Sequence, residues 1–135
     1  MTPQDAQAIL TENFADWVLA LEPQVIDCSP EQVLIRMPLS PKLSRVGGIV
    51  SGQALAALAD TSMVIAASAH AGGFKPFATT DLHTQFLRPG TGSAILCTAQ
   101  VVRAGRALVF ARADMTEADS GKPVATATAT FFAPA

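Results

Sequence analysis

The stretch from about Gly52 to His70 limits what this chain can fold into more than any other part of it. Ala54, Leu55, Ala56, Ala57, Leu58 and Ala59, then Met63, Val64, Ile65, Ala66 and Ala67, read as a helix with no clear polar face. A helix that is apolar all round is buried on nearly every side, so the rest of the chain has to supply a wrapper. Gly72-Gly73 closes the helix. Asp60 lies at its centre and is the only formally charged side chain between Arg45 and Lys75. A membrane span would be more hydrophobic and would rarely carry that carboxylate, so the helix is expected in a soluble core with no membrane partner.

The wrapper is legible on both sides of that helix. Thr2-Pro3-Gln4-Asp5 is a helix start, with Thr2 as cap, Pro3 in the first turn and Asp5 facing the dipole. Apolar residues at Ala6, Ile9, Leu10, Phe14, Trp17, Val18 and Leu21 then predict one amphipathic helix over about 2–21, ended by Pro23. Val25-Ile26 and Val33–Met37 form a strand pair across Ser29-Pro30, and 38–50 is a loop. Beyond the central helix, strands are predicted over about 77–87, 93–104, 106–118 and 122–132, separated by hairpin signals. Ala125-Thr126-Ala127-Thr128-Ala129-Thr130 alternates with period two, and its small alanines predict that something packs very close to that face.

At 135 residues, half of them apolar, this is one domain over 1–135 with enough material for a core. The element order predicts an α+β fold, a strongly curved antiparallel sheet wrapped around helix 52–70. Such a sheet has open edges, and pairing with a second copy would cover them, so a homo-oligomer is expected. A net charge of −2 argues against nucleic acid as a partner. All six acids of residues 1–35 stand without a base, however, leaving 36–135 at +4, a modest pull toward anionic small molecules. Cys28 and Cys97 lie in apolar runs and read as buried free thiols. The N-terminus lacks the pattern of a signal peptide, so a cytoplasmic location is expected.

The sequence has no GxSxG, HExxH, GxxxxGK or complete GxGxxG, and its two histidines, His70 and His83, have no carboxylate cluster, so no metal is expected. A triad of Ser51, His83 and Asp60 lacks an elbow motif. Asp60 itself stands out: desolvation of a carboxylate raises its pKa toward the range of a general base. A structural aspartate bonded to a facing strand is the competing reading, with equal weight. Ser51-Gly52-Gln53 begins the helix, where free backbone N–H groups and the helix dipole can hold an oxyanion. Ser51 also reads as a simple N-cap there.

Gly47-Gly48-Ile49-Val50-Ser51-Gly52-Gln53 through Ala59-Asp60-Thr61-Ser62-Met63 resembles the central-helix motif of hotdog-fold acyl-CoA thioesterases, closest to the phenylacetate-degradation-associated, PaaI-like branch. Ala78-Thr79-Thr80-Asp81-Leu82-His83-Thr84-Gln85-Phe86-Leu87-Arg88-Pro89 resembles that branch's next strand, and Val102–Arg106 and Gly121–Ala125 its later hairpins. The resemblance spans roughly 33–132. It implies a homodimer as minimal unit and a homotetramer as full assembly, with sites between subunits. Asp60 would activate water or attack the thioester, the Gly52 amide would polarise the carbonyl, and a hydroxyl from the partner subunit would map onto Thr79. Where family members often carry His-Gly-Gly, this chain reads Ser51-Gly52-Gln53. The usual upstream amide residue falls near Ser44-Arg45, and Arg45 would pair with Asp60 or hold the acyl carbonyl.

Arg88, Arg106 and Lys122 sit at predicted strand ends, where they would meet the phosphates of coenzyme A or act as solvated turn charges. Coenzyme A enters as part of an acyl-CoA substrate, and no separate cofactor is expected. The leading expectation is hydrolysis of a small or medium, or aryl, acyl-CoA. A non-catalytic acyl-CoA-binding or sensing module is the alternative. An enoyl-CoA hydratase is third, because it would pair an Asp with a His that is absent near Asp60.

Overall fold

Helix formation at the N-terminus follows its local signals in the computed structural model, which describes residues 1–134. Helix α1 (Pro3–Asn13) opens on a complete capping box. The Asp5 amide donates to Thr2 Oγ1 at 3.1 Å, and the Thr2 amide donates to Asp5 Oδ2 at 2.9 Å. These bonds hold the Asp5 carboxyl below the usual carboxylate range. The single helix expected over 2–21 is instead two. Phe14 and Ala15 are extended, and a one-turn helix α2 (Asp16–Leu19) follows. No Pro or Gly breaks the run. The Asn13 amide folds back onto the Ile9 carbonyl at 2.9 Å, and the turn carries the chain toward β1 with Leu21 buried. Trp17, one of the apolar positions of that expected helix, is left 63% exposed. Gln7 ties α1 to the sheet, accepting from the Val25 amide and donating to the Pro23 carbonyl.

Six strands follow the expected order: β1 (Gln24–Cys28), β2 (Val33–Pro38), β3 (Ala78–Phe86), β4 (Ala94–Ala104), β5 (Leu108–Glu117) and β6 (Pro123–Phe132). They form one antiparallel sheet in the order β1-β2-β4-β5-β6-β3. Helix α3 (Gly52–Ala71) lies in its concave face and packs on β2, β3, β4, β5 and β6. Buried side chains alternate along the strands, as Val33, Ile35 and Met37 do on β2, and Ala127, Ala129 and Phe131 on β6. Ala111 and Ala113 on β5, with Ala127 and Ala129 on β6, are the close-packing face the Ala/Thr alternation predicted. Without bulk beyond Cβ, these positions let the helix backbone approach the sheet.

Helix α3 is long and apolar enough to cross a membrane by composition, yet 67% of its most apolar window is buried within the domain. It ends on Gly72 in the left-handed conformation (φ +83°), as Gly72-Gly73 predicted. Both cysteines are free and buried, and burial pushes the Cys97 thiol up to about 12. Strand β3 differs from the rest. It is an edge strand, exposed along nearly all its length, with Phe86 54% exposed at its end.

Candidate active site

The start of α3 is set by hydrogen bonds that leave two amides over. The Val50 amide donates to the Gly90 carbonyl, and the Ser51 amide to the Leu43 carbonyl at 2.8 Å. Ser51 is the N-cap: its Oγ accepts from the Ala54 amide at 3.2 Å, and its carbonyl from the Leu55 amide. Its hydroxyl is thus committed to the helix. The amides of Gly52 and Gln53 have no hydrogen-bond partner among the described residues, and they point out of the positive end of a twenty-residue helix. Space is tight at Gly52 as well. A Cβ there would stand 3.3 Å from Cζ of Phe86, whose ring closes over the helix start.

Asp60 lies on the same open side of α3, half-buried behind apolar neighbours. Thr79 Oγ1 donates to Asp60 Oδ1 at 2.9 Å. Burial raises the Asp60 pKa above the usual aspartate range, and the Thr79 bond offsets part of that rise. The two readings of Asp60 therefore meet in one residue, because the carboxylate is both bonded to a facing strand and perturbed toward the range of a base. The hydroxyl bonded to Asp60 here is this chain's own, carried on a strand whose β-bulge between Thr79 and Asp81 inserts Thr80.

Along α3, Gly52 and Asp60 are eight residues apart, a rise of about 12 Å. A carbonyl oxygen must lie about 3 Å from its amide donor, and the attacking group needs a base equally close. One chain's amide and carboxylate therefore cannot serve the same carbonyl.

The basic candidates separate. Arg45 and Arg88 line a cleft of about 360 Å³ with Gly52, Leu55 and Phe86. Arg45 also borders a second cleft of about 610 Å³ with Ser44 and Thr91. Its guanidinium donates to the Val46 carbonyl, and Asp60 carries no charge partner, so the pairing of Arg45 with Asp60 does not form within the chain. Lys122, in the β5–β6 turn, lies at the same end of the sheet as Arg88, whose amide bonds Val124. Arg106 is in the turn at the opposite end of β5, about 30 Å away along ten strand residues. Ser51 and His83 do not meet Asp60: Ser51 is nine residues away along the helix, and His83 is exposed on β3.

Two features escaped the sequence reading. Phe86 gives no signal of its own beyond its place before Leu87-Arg88-Pro89. Glu117 is buried, accepting from the Thr91 amide (2.9 Å), Thr91 Oγ1 (3.0 Å) and Ser120 Oγ (2.6 Å), which hold its carboxyl below the usual range. It pins the loop whose Gly90 carbonyl receives the Val50 amide, one residue before Ser51. Gly90 admits no side chain, because a Cβ there would fall 2.7 Å from Val50 Cγ1.

A six-stranded antiparallel sheet curled around one central helix, with a carboxylate on that helix, defines a hotdog-fold protein of the thioesterase kind. The chain belongs to the Thioesterase superfamily, which matches residues 47–124. Its structure is similar to that of zebra fish thioesterase superfamily member 2, with 28% identity and a TM-score of 0.83 over 98% of this chain and 95% of that one. The E. coli PaaI protein from the phenylacetic acid degradation operon shares the fold, with 20% identity and a TM-score of 0.83 over 98% and 92% of the two chains. So does a thioesterase from Haemophilus influenzae, with 18% identity and a TM-score of 0.86 over 98% and 90%. No curated protein matches the sequence.

Proposed function

We propose that this protein hydrolyses small or medium, or aryl, acyl-CoA thioesters, in sites shared by two copies of the chain. The observation that carries the reading is the half-buried Asp60, alone on an uncharged helix and held by Thr79 at 2.9 Å. The 12 Å rise between Gly52 and Asp60 supports a site in which Asp60 of one copy works with the Gly52 amide of another. The open edge of β3 and the small half-exposed Gly52, Ala56 and Ala57 that precede Asp60 on α3 offer the surface for such a pair, a homodimer that doubles into a homotetramer.

In this scheme Asp60 takes a proton from water and the hydroxide adds to the thioester carbon. The oxyanion is received by the Gly52 amide, an interaction worth about 10²–10³ in rate. Collapse breaks the C–S bond, and the coenzyme A thiolate leaves and is protonated. Direct attack by the carboxylate would give an enzyme-bound anhydride that water then opens. Thr79 fixes the carboxylate in both routes. Arg45 and Arg88, beside Gly52, offer cations to the coenzyme A phosphates. Lys122 is the next nearest basic candidate, and Arg106 reaches such a site only from another copy. The cytoplasm, where acyl-CoA is made and used, is the location this chemistry fits.

Asp60→Asn, assayed for thiol release on a panel of acyl-CoAs, tests the scheme. Unchanged hydrolysis by a folded variant overturns it. Ser51, locked into capping where relatives carry His, favours one second reading, an acyl-CoA-binding module without turnover. Saturable acyl-CoA binding with no thiol released would establish that reading instead.

A further inference from the structure

Resting on the thioesterase reading, we propose that Glu117 is a positioning residue for the reaction. Its carboxylate, at the β5–β6 turn, sets the place of the Gly52 amide that receives the oxyanion.

Every link between the two is a hydrogen bond or a packing contact. Glu117 Oε2 accepts from the amide and the hydroxyl of Thr91, and Oε1 accepts from Ser120 Oγ. Two residues on, Asp119 accepts from the Ser93 amide at 2.8 Å and from Ser93 Oγ at 2.6 Å. One turn thus grips the β3–β4 loop at two points, and Gly90 adjoins the first of them. The Gly90 carbonyl takes the Val50 amide at 3.1 Å, and a Cβ on Gly90 would meet the Val50 side chain. Val50 is buried and stands two residues before Gly52. Rigid peptide planes carry any shift of the loop from Val50 into the start of α3.

A carboxylate suits this task. It has no hydrogen of its own, so its two oxygens accept all three donors at once. Each bond is charge-assisted, about twice the strength of a neutral one. Residues 87–93 form neither helix nor strand, so side-chain bonds have to fix them. Precision matters here, because a misplacement of about 1 Å caused far from the chemistry costs about 10²-fold in rate.

Substitutions at 117 separate reach from charge. Glu117→Gln keeps the reach: its oxygen serves Thr91, and its amide turns to Ser120 Oγ, which accepts instead of donating. Glu117→Asp keeps the charge and withdraws it by one methylene. On the acyl-CoA that the native protein hydrolyses fastest, Glu117→Asp should lower kcat at least about tenfold, with KM within about twofold. Glu117→Gln should stay within about threefold of native kcat. Native kcat in folded Glu117→Asp, whatever its melting temperature, overturns the proposal, as does Glu117→Gln falling as far as Glu117→Asp. Should Glu117→Asp fail to fold, Thr91→Val removes one donor and should lower kcat about threefold.

In the shared site, the braced Gly52 of one copy serves Asp60 of another. A pair made of one Glu117→Asp copy and one Asp60→Asn copy then keeps one competent site of two, about half the native rate. No recovery over either variant alone overturns the route through Gly52.

Hydrogen exchange reads the brace without turnover. The Val50 amide should exchange at least about tenfold faster in Glu117→Asp, while that of Met63, in the buried part of α3, keeps its native rate. If the native protein hydrolyses no acyl-CoA, the thioesterase reading falls, and Val50 exchange alone decides whether Glu117 sets the helix start. Unchanged Val50 exchange overturns the proposal at any activity.

Discussion

The two halves of α3 are both rich in alanine and have opposite surroundings. From Thr61 to Ala69 every residue is buried, Met63 and Ile65 completely. From Ser51 to Asp60, by contrast, Ser51, Gly52, Ala56, Ala57 and Asp60 are half-open and Gln53 is exposed. The sealed half holds the sheet in its curve. The open half carries two unpartnered amides, a perturbed carboxylate and side chains too small to keep a second copy away. Apolar residues thus serve two ends on one helix: filling a core, and leaving a flat surface around one charge.

The largest expected effect falls on the open half. Asp60→Asn should lower kcat by about 10²–10⁴-fold in a thiol-release assay. The same variant should melt no lower than the native protein at neutral pH. Burial raises the Asp60 pKa, so the folded state favours the protonated acid. The stability this group contributes is complete below its unfolded pKa and is lost as pH rises through the folded one. The ionised native protein therefore carries a penalty that asparagine lacks, and melts taken toward acid pH should narrow the gap between the two. The acid limb of the native rate profile should correspondingly have its midpoint above the usual aspartate range.

Met63→Ala probes the sealed half and should cost about 2–5 kcal/mol in urea unfolding, with little change in kcat for the fraction still folded. Thr79→Val removes the hydroxyl on Asp60. It should lower kcat about tenfold, equivalent to one hydrogen bond to a charged group, and shift the acid limb upward. Ala57→Arg should have the smallest effect on the fold itself, within about 0.5 kcal/mol. Sedimentation should nevertheless show self-association lost, and activity lost with it. An Ala57→Arg protein that remains associated and active would remove the open half from the interface.

Local chemistry explains why α3 was legible from its first residue to its last turn. Ser51 caps it, Gly72 ends it in a left-handed residue, and no charged side chain but Asp60 interrupts it. The hairpins and the Ala/Thr strand were legible for the same reason, since their turns and alternation are written in neighbouring residues. The break at Phe14-Ala15 was not, because nothing local forbids a helix there; the path from α1 to β1 overrides a good helical period. The site was half-legible. Asp60 and the Gly52 amide stand out by charge and position, but the Thr79 contact depends on a bulge that adds one residue across β3 and β6. The Glu117 network joins residues twenty-six apart, and Thr91, Ser120 and Glu117 are each ordinary turn residues when read alone.

The two buried sulfur atoms gain a meaning from the family to which the chain belongs. Thioesters transfer their acyl groups to thiolates, so a protein that handles them exposes its own cysteines to unwanted acylation. Here Cys28 is tucked at the end of β1, and Cys97, with its thiol pushed up to about 12, is sealed beneath the sheet. Neither presents an ionised sulfur to a passing thioester, and water remains the acceptor.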